Sequence, residues 1–272
     1  MSGTRKWSRP VLLYFGVLCA FFLAQQFGRH MPLFRDVLTP RRIAPVASLA
    51  KLAPQLLGSI FAWRCARGYE AGSATRRAWL LMSAWLGCWF LGQSVLASYE
   101  NLLHVTPPTP SVGDVFFTAG YVFVILALFG FVNAYRASGF AVGSARELAA
   151  IAIGACAVFG VVGYLELVSV AIGATPLGER LVTVGYPVLD LVTLIPAIVL
   201  FRITVAFRGG QVWRVWAALL AGILFAMGGD VVFSDLTLTH VEAIGPVADL
   251  LFILGYSFCG YGMRLQYELV AE

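Results

Sequence analysis

Residues 112–135 read VGDVFFTAGYVFVILALFGFVNAY, an apolar run with no proline and one charged side chain, Asp114. A helix rises about 1.5 Å per residue, and the hydrocarbon core of a bilayer is about 30 Å thick, so about 20 apolar residues suffice to cross it. The run is long enough, and it is not alone. Comparable stretches lie near 10–28, 44–64, 78–99, 147–170, 181–206, 213–234 and 246–265. The sequence therefore predicts an all-α polytopic membrane protein of about eight transmembrane helices, with 1–272 as a single transmembrane domain and connections too short to hold another. Composition agrees: 60% of residues are hydrophobic and 12% charged, against about 25% charged in soluble proteins. A basic start before the first span could suggest a signal peptide, but no small-x-small cleavage site is convincingly placed, so a retained anchor helix is expected.

The run has a twin. Residues 110–123, PSVGDVFFTAGYVF, and 245–258, GPVADLLFILGYSF, share D-x-x-F-x-x-G-Y-x-F. Asp is too rare inside membrane spans for hydrophobic bias alone to produce this match. Upstream, Trp79 and Gly92 in the third span correspond to Trp216 and Gly229 in the seventh. PVASLAKLAP (45–54) corresponds likewise to PVLDLVTLIP (187–196). The expected architecture is two parallel four-helix repeats, about 10–136 and 145–266, related by an axis along the membrane normal. Pro45, Pro110, Pro187 and Pro246 are expected in first helical turns, where a missing N–H costs nothing. Pro54 and Pro196 are interior and should kink their helices. Gly154, Gly160, Gly222, Gly228 and Gly260 should permit close helix contact.

Arginine and lysine set the orientation. With the N-terminus cytoplasmic, the inner segments hold Arg5, Lys6, Arg9, Arg64, Arg67, Arg76, Arg77, Arg136, Arg146, Arg202, Arg208, Arg214 and Arg264. Outer connections 100–110 and 235–245 hold neither Lys nor Arg, and 171–180 holds only Arg180. The first outer connection breaks the pattern with Arg29, Arg35, Arg41 and Arg42. Both termini are expected on the cytoplasmic side of a bacterial inner membrane. The net charge of +5 is spread over these edges rather than gathered in a patch, which argues against nucleic-acid binding.

An ionisable group inside a span costs about 2.5–3.5 kcal/mol on insertion scales and normally has a partner or a wet cavity. Lys51, Asp114, Glu166, Asp190, Asp230 and Asp249 are such groups. Counting helical rise from the span ends places all of them in the outer half of the membrane, with Gln93 and Ser94 opposite Asp230 in the repeat. Tyr99, Tyr121, Tyr164, Tyr186 and Tyr256 are placed to donate to this layer. Asp114 and Asp249 lie near helix N-termini, where they could simply cap. Asp190 and Asp230 are too deep for that. The expected ligand-binding residues are Asp190, Asp230, Lys51, Asp114, Asp249, Gln93 and Tyr186. The tryptophans suit interfacial belts or helix packing. Cys19, Cys65, Cys88, Cys156 and Cys259 make no C-x-x-C pair, and His30, His104 and His240 are scattered. They offer no metal site, and no cofactor motif, phosphate loop or nucleophile elbow appears, so an enzyme is not expected.

The strings PSVGDVFFTAGY (110–121), YPVLDL (186–191) and ADLLFILGY (248–256) resemble those of the multi-helix membrane sensory input regions at the N-termini of bacterial diguanylate cyclases and sensor kinases. The similarity covers roughly residues 75–265. It implies a module that perceives a signal at the membrane, an external or lipid-borne ligand or a proton, and passes it to a cytoplasmic signalling domain or protein. Such regions continue into a cyclase or kinase domain, whereas this sequence stops at Glu272; either the output domain has been removed or the chain signals through a partner. A small cation- or proton-coupled transporter or channel is the alternative, and the lack of a second charged layer in the inner half weighs against it. An intramembrane enzyme acting on lipids has no nucleophile–base spacing behind it.

Overall fold

The computed structural model describes Val17, Ala20 and residues 40–172, 176–205, 208–239 and 245–271. Among these, all regular structure is helical: α1 (Pro40–Arg67), α2 (Ala74–Ser98), α3 (Val112–Ala137), α4 (Ala145–Ile172), α5 (Leu177–Val205), α6 (Gln211–Thr239) and α7 (Gly245–Ala271), with a π-helical turn Tyr99–Leu103 extending α2. These correspond to the second through eighth expected spans; the first, apart from Val17 and Ala20, lies outside the described residues, as do Cys19, Arg29 and Arg35. Among the described residues, six helices are long and apolar enough to cross a membrane: α1, α2 with its π turn, α3, α5, α6 and α7. Two compact units are present, Met1–Ala47 and Ser48–Glu272. Of the first, the described residues are Val17, Ala20 and the opening turns of α1. The second holds the rest of α1 and the other six helices.

Polar caps start several helices. Ser73 accepts from the Arg76 N–H at the head of α2. Ser111 and Asp114 form a capping box on α3: the Ser111 hydroxyl accepts from the Gly113 N–H, and Asp114 accepts from the Ser111 N–H at 2.6 Å. Ser144 and Glu147 do the same for α4, at 2.7 Å. Each box satisfies two backbone donors that have no partner within the helix. The turn before α2 uses Gly72 at φ +84°, a conformation that only glycine adopts without strain.

Tryptophans of α2 build the core. Trp79, Trp85 and Trp89 follow one another at helical spacing and are buried with Met82 and Leu86. Trp79 packs edge-on against Phe131 of α3 at 4.9 Å, and Phe131 against Trp216 of α6 at 5.1 Å. The packing role expected for these residues holds for Trp79, Trp85, Trp89 and Trp216, whereas Trp63 is exposed, with the Arg67 guanidinium over its ring.

Glycine decides how closely the helices meet. A methyl group added at Gly222 of α6 would lie 2.8 Å from the Cys259 nitrogen and the Gly255 carbonyl oxygen of α7; at Gly255 it would lie 2.8 Å from the Ala226 nitrogen. A methyl at Gly260 would lie 2.8 Å from the Pro54 carbonyl oxygen of α1. Close contact was expected at five glycines, and Gly222 and Gly260 make it. Among the described residues, Gly154 and Gly160 have no neighbour within 4 Å of an added methyl, and Gly228 meets only Leu251 side-chain carbons at 3.7 Å or more. Spacing alone does not say which side of a helix meets a neighbour.

The contacts between α2 and α3 recur between α6 and α7. A methyl at Gly92 would come within 2.9 Å of the Phe117 ring, and one at Gly229 within 2.8 Å of the Phe252 ring. At Gly120 it would strike Trp89, and at Gly255 it would strike Ala226.

Three of the four prolines expected in first turns lie elsewhere: α1 begins at Pro40, five residues before Pro45, and Pro110 precedes the Ser111 cap of α3. Pro187 does not open its helix: α5 begins at Leu177, so both Pro187 and Pro196 are interior. Hydropathy locates the edge of the hydrocarbon, and the helix runs past that edge through Gly178, Glu179 and Arg180. Each interior proline removes one backbone hydrogen bond.

Candidate functional site

A cavity of about 310 Å³ opens at the end of the bundle where α1, α3 and α7 begin and where α2 and α6 finish. The arginines Arg64, Arg67, Arg136 and Arg202 lie in the last turns of α1, α3 and α5, at the opposite end.

Six of the seven residues expected to bind a ligand line this space: Lys51 of α1, Gln93 of α2, Asp114 of α3, Tyr186 of α5, Asp230 of α6 and Asp249 of α7. They come from six helices, so only their depth along each helix could have placed them together, and it did. The seventh, Asp190, is 3% exposed and sits in the wall behind Tyr121. The backbone of Glu166 is described, but its side chain lies outside the described residues.

The polar groups are arranged in three sets. Lys51 donates to Asp249 at 2.8 Å across 198 residues of sequence, with side chains 10% and 34% exposed. Asp249 is thus held by an ammonium from another helix. Asp114 does cap, and it also accepts from the Tyr186 hydroxyl. The third set is the Tyr121 hydroxyl, 2.6 Å from Asp190 Oδ1 and 3.2 Å from Asp230 Oδ2. A phenol has one proton and cannot donate to both. The hydroxyl ties the two carboxylates of α5 and α6 to α3.

Aromatic side chains close the rest of the wall. Trp89 packs edge-on against Tyr121 at 5.3 Å and Tyr256 at 5.7 Å, and Phe252 stacks on Tyr256 at 6.0 Å. The Trp89 indole N–H donates to the Phe117 carbonyl, which fixes the ring. Of the five tyrosines expected to serve the polar layer, Tyr121, Tyr186 and Tyr256 line the cavity. Tyr164 is 69% exposed and points away from the core.

The sequence missed Glu100, which lines the cavity from the π turn. It follows the last apolar residue of its span and was counted with the connection. Its signal was Tyr99–Glu100 continuing the helical pattern beyond the hydropathy boundary. Deeper in α1, one turn past Lys51, Gln55 is fully buried, and neither atom of its amide has a hydrogen-bond partner among the described residues.

No known protein family, curated protein or solved structure matches the chain.

Proposed function

We propose that the chain is a membrane-embedded sensory input module. An external or lipid-borne ligand, or a proton, acts at the cavity, and the response passes to a cytoplasmic signalling domain or partner. The observation that carries this reading is the gathering of Lys51 and the scarce acids of four helices into one aromatic-walled space at a single end of the bundle. Polar groups this costly to bury are retained for a purpose more often than by accident. The positive-inside pattern supports a cavity facing away from the cytoplasm, with both termini inside the cell membrane.

The recurring contacts of Gly92 with Phe117 and Gly229 with Phe252 support an internal duplication with eight spans. In that register Gln93 stands where the second half has Asp230, and Ser48 stands where it has Asp190. The two halves keep one packing plan, and the titratable pair is confined to the second. A ligand or proton there acts on one half against the other, and it shifts the balance only if the two arrangements bind it differently. Helix α7 is the natural carrier of the response. It holds Asp249, Phe252 and Tyr256 in the cavity wall and continues to Ala271 at the arginine end, where Gln266 donates to Tyr69 of the α1–α2 connection.

Gln55 supports the second reading, a small cation- or proton-coupled transporter, because a buried amide beneath the cavity extends polarity inward. Proteoliposomes decide between them. The sensory reading expects no cation or proton flux above protein-free vesicles. It also expects a spin label at Leu269 to change mobility when the pH on the cavity side falls from neutral to mildly acidic, and Asp190→Asn to remove that change. Flux abolished by Asp190→Asn would replace this reading with transport.

A further inference from the structure

We propose that the cavity takes a small organic cation, a protonated or quaternary amine carried on an apolar body. This rests on the reading of the cavity as a ligand site and adds the chemical class. The first argument is charge. The described lining sets one base, Lys51, against Glu100, Asp114, Asp230 and Asp249. Lys51 is engaged by Asp249, and Asp114 is engaged by Ser111 and Tyr186. An anion would meet this excess of carboxylate, and a cation would relieve it.

The second argument is the wall. Trp89, Tyr121, Tyr256 and Phe252 present ring surface to the same space as the acids. Ring faces carry negative potential and attract ammonium groups, most strongly where water is excluded, and aromatic cages are the usual answer to quaternary nitrogen. Among the described residues no three His, Cys, Asp or Glu side chains are close enough together to hold a metal ion. The negative potential is therefore spread over a surface, as a bulky, weakly hydrated cation requires.

The third argument is Gln93. It is 5% exposed and lines the cavity. It supplies one donor and one acceptor to a polar substituent on the guest, which a bare proton would not need. A cavity of about 310 Å³ lies at the small end of ligand sites, which run from about 300 to 1,000 Å³.

The test uses the full chain in lipid nanodiscs and the fluorescence of its tryptophans, Trp89 among them. Choline is compared with its neutral carbon isostere 3,3-dimethylbutan-1-ol, and phenethylamine with 2-phenylethanol. Each amine is expected to bind at least about tenfold more tightly than its neutral partner. Glu100→Gln and Asp230→Asn should each reduce that preference severalfold. Because the charged and neutral probes are compared on the unaltered protein, the result does not depend on a variant folding. Equal binding of amine and alcohol, or saturable binding of neither, would overturn the assignment. So would a preference that survives the Glu100→Gln/Asp230→Asn double variant. The flux and spin-label measurements are made without amine, so their outcome stands apart from this one.

Discussion

Gly255→Ala is expected to lower the stability of the folded chain by about 2–3 kcal/mol, and Gly255→Leu to leave no folded protein. The atoms that a new Cβ would meet are the Ala226 nitrogen at 2.8 Å, the Gly222 carbonyl oxygen at 3.0 Å and the Ala226 Cα at 3.1 Å. All are backbone, so no side chain can rotate aside, and α6 and α7 must separate. Separation would open the contacts beneath the cavity, since Phe252 and Tyr256 lie on the same stretch of α7. Gly228→Ala is the control. Its neighbours are Leu251 carbons at ordinary contact distance, and alanine favours the helix by up to about 1 kcal/mol over glycine. That variant is expected to be neutral or slightly stabilised. Unfolding of both purified proteins in mixed micelles, followed by circular dichroism, checks the pair.

Lys51→Met is expected to cost about 2 kcal/mol, with most of the loss recovered in the Lys51→Met/Asp249→Leu double variant. Removing one partner of a fully buried ion pair costs about 3–5 kcal/mol, largely from the charge left behind. Asp249 is 34% exposed, so the stranded carboxylate keeps some solvation and the figure is reduced accordingly. Replacing both partners with apolar residues removes the stranded charge, and such replacements are often tolerated. A double-mutant cycle in the same unfolding assay measures the coupling. A coupling near zero would mean that α1 and α7 do not meet through this pair.

Much of the fold was legible because lipid imposes a simple rule on sequence. Apolar runs mark helices, and rare acids can be ranged by counting residues from a span's end. That count brought Lys51, Asp114, Asp230 and Asp249 to one level, and the cavity holds them together. Rotation about the helix axis was less legible. Tyr164 and Tyr186 carry the same chemistry in neighbouring spans, yet one faces outward and the other meets Asp114. The Tyr121–Asp190–Asp230 set joins three helices, and no local pattern announces a hydroxyl shared between carboxylates 69 and 109 residues away. Helix ends were misjudged where hydropathy and helicity part company, at Leu177 and at Glu100. Polar residues continue a helix there after the apolar run has ended.

The proposed sensory reading requires the cavity to open on the outer face, opposite the arginine-rich ends. A membrane-impermeant maleimide applied to intact cells tests it, with Glu100→Cys at the cavity rim and Ala71→Cys in the exposed connection at the arginine end. The unaltered chain, in which Cys65 and Cys259 are buried, Cys88 is half-buried and Cys156 is exposed, sets the background. Labelling of Glu100→Cys in intact cells, with Ala71→Cys reacting only after permeabilisation, is the predicted result. The reverse pattern would place the cavity on the cytoplasmic side and contradict the account.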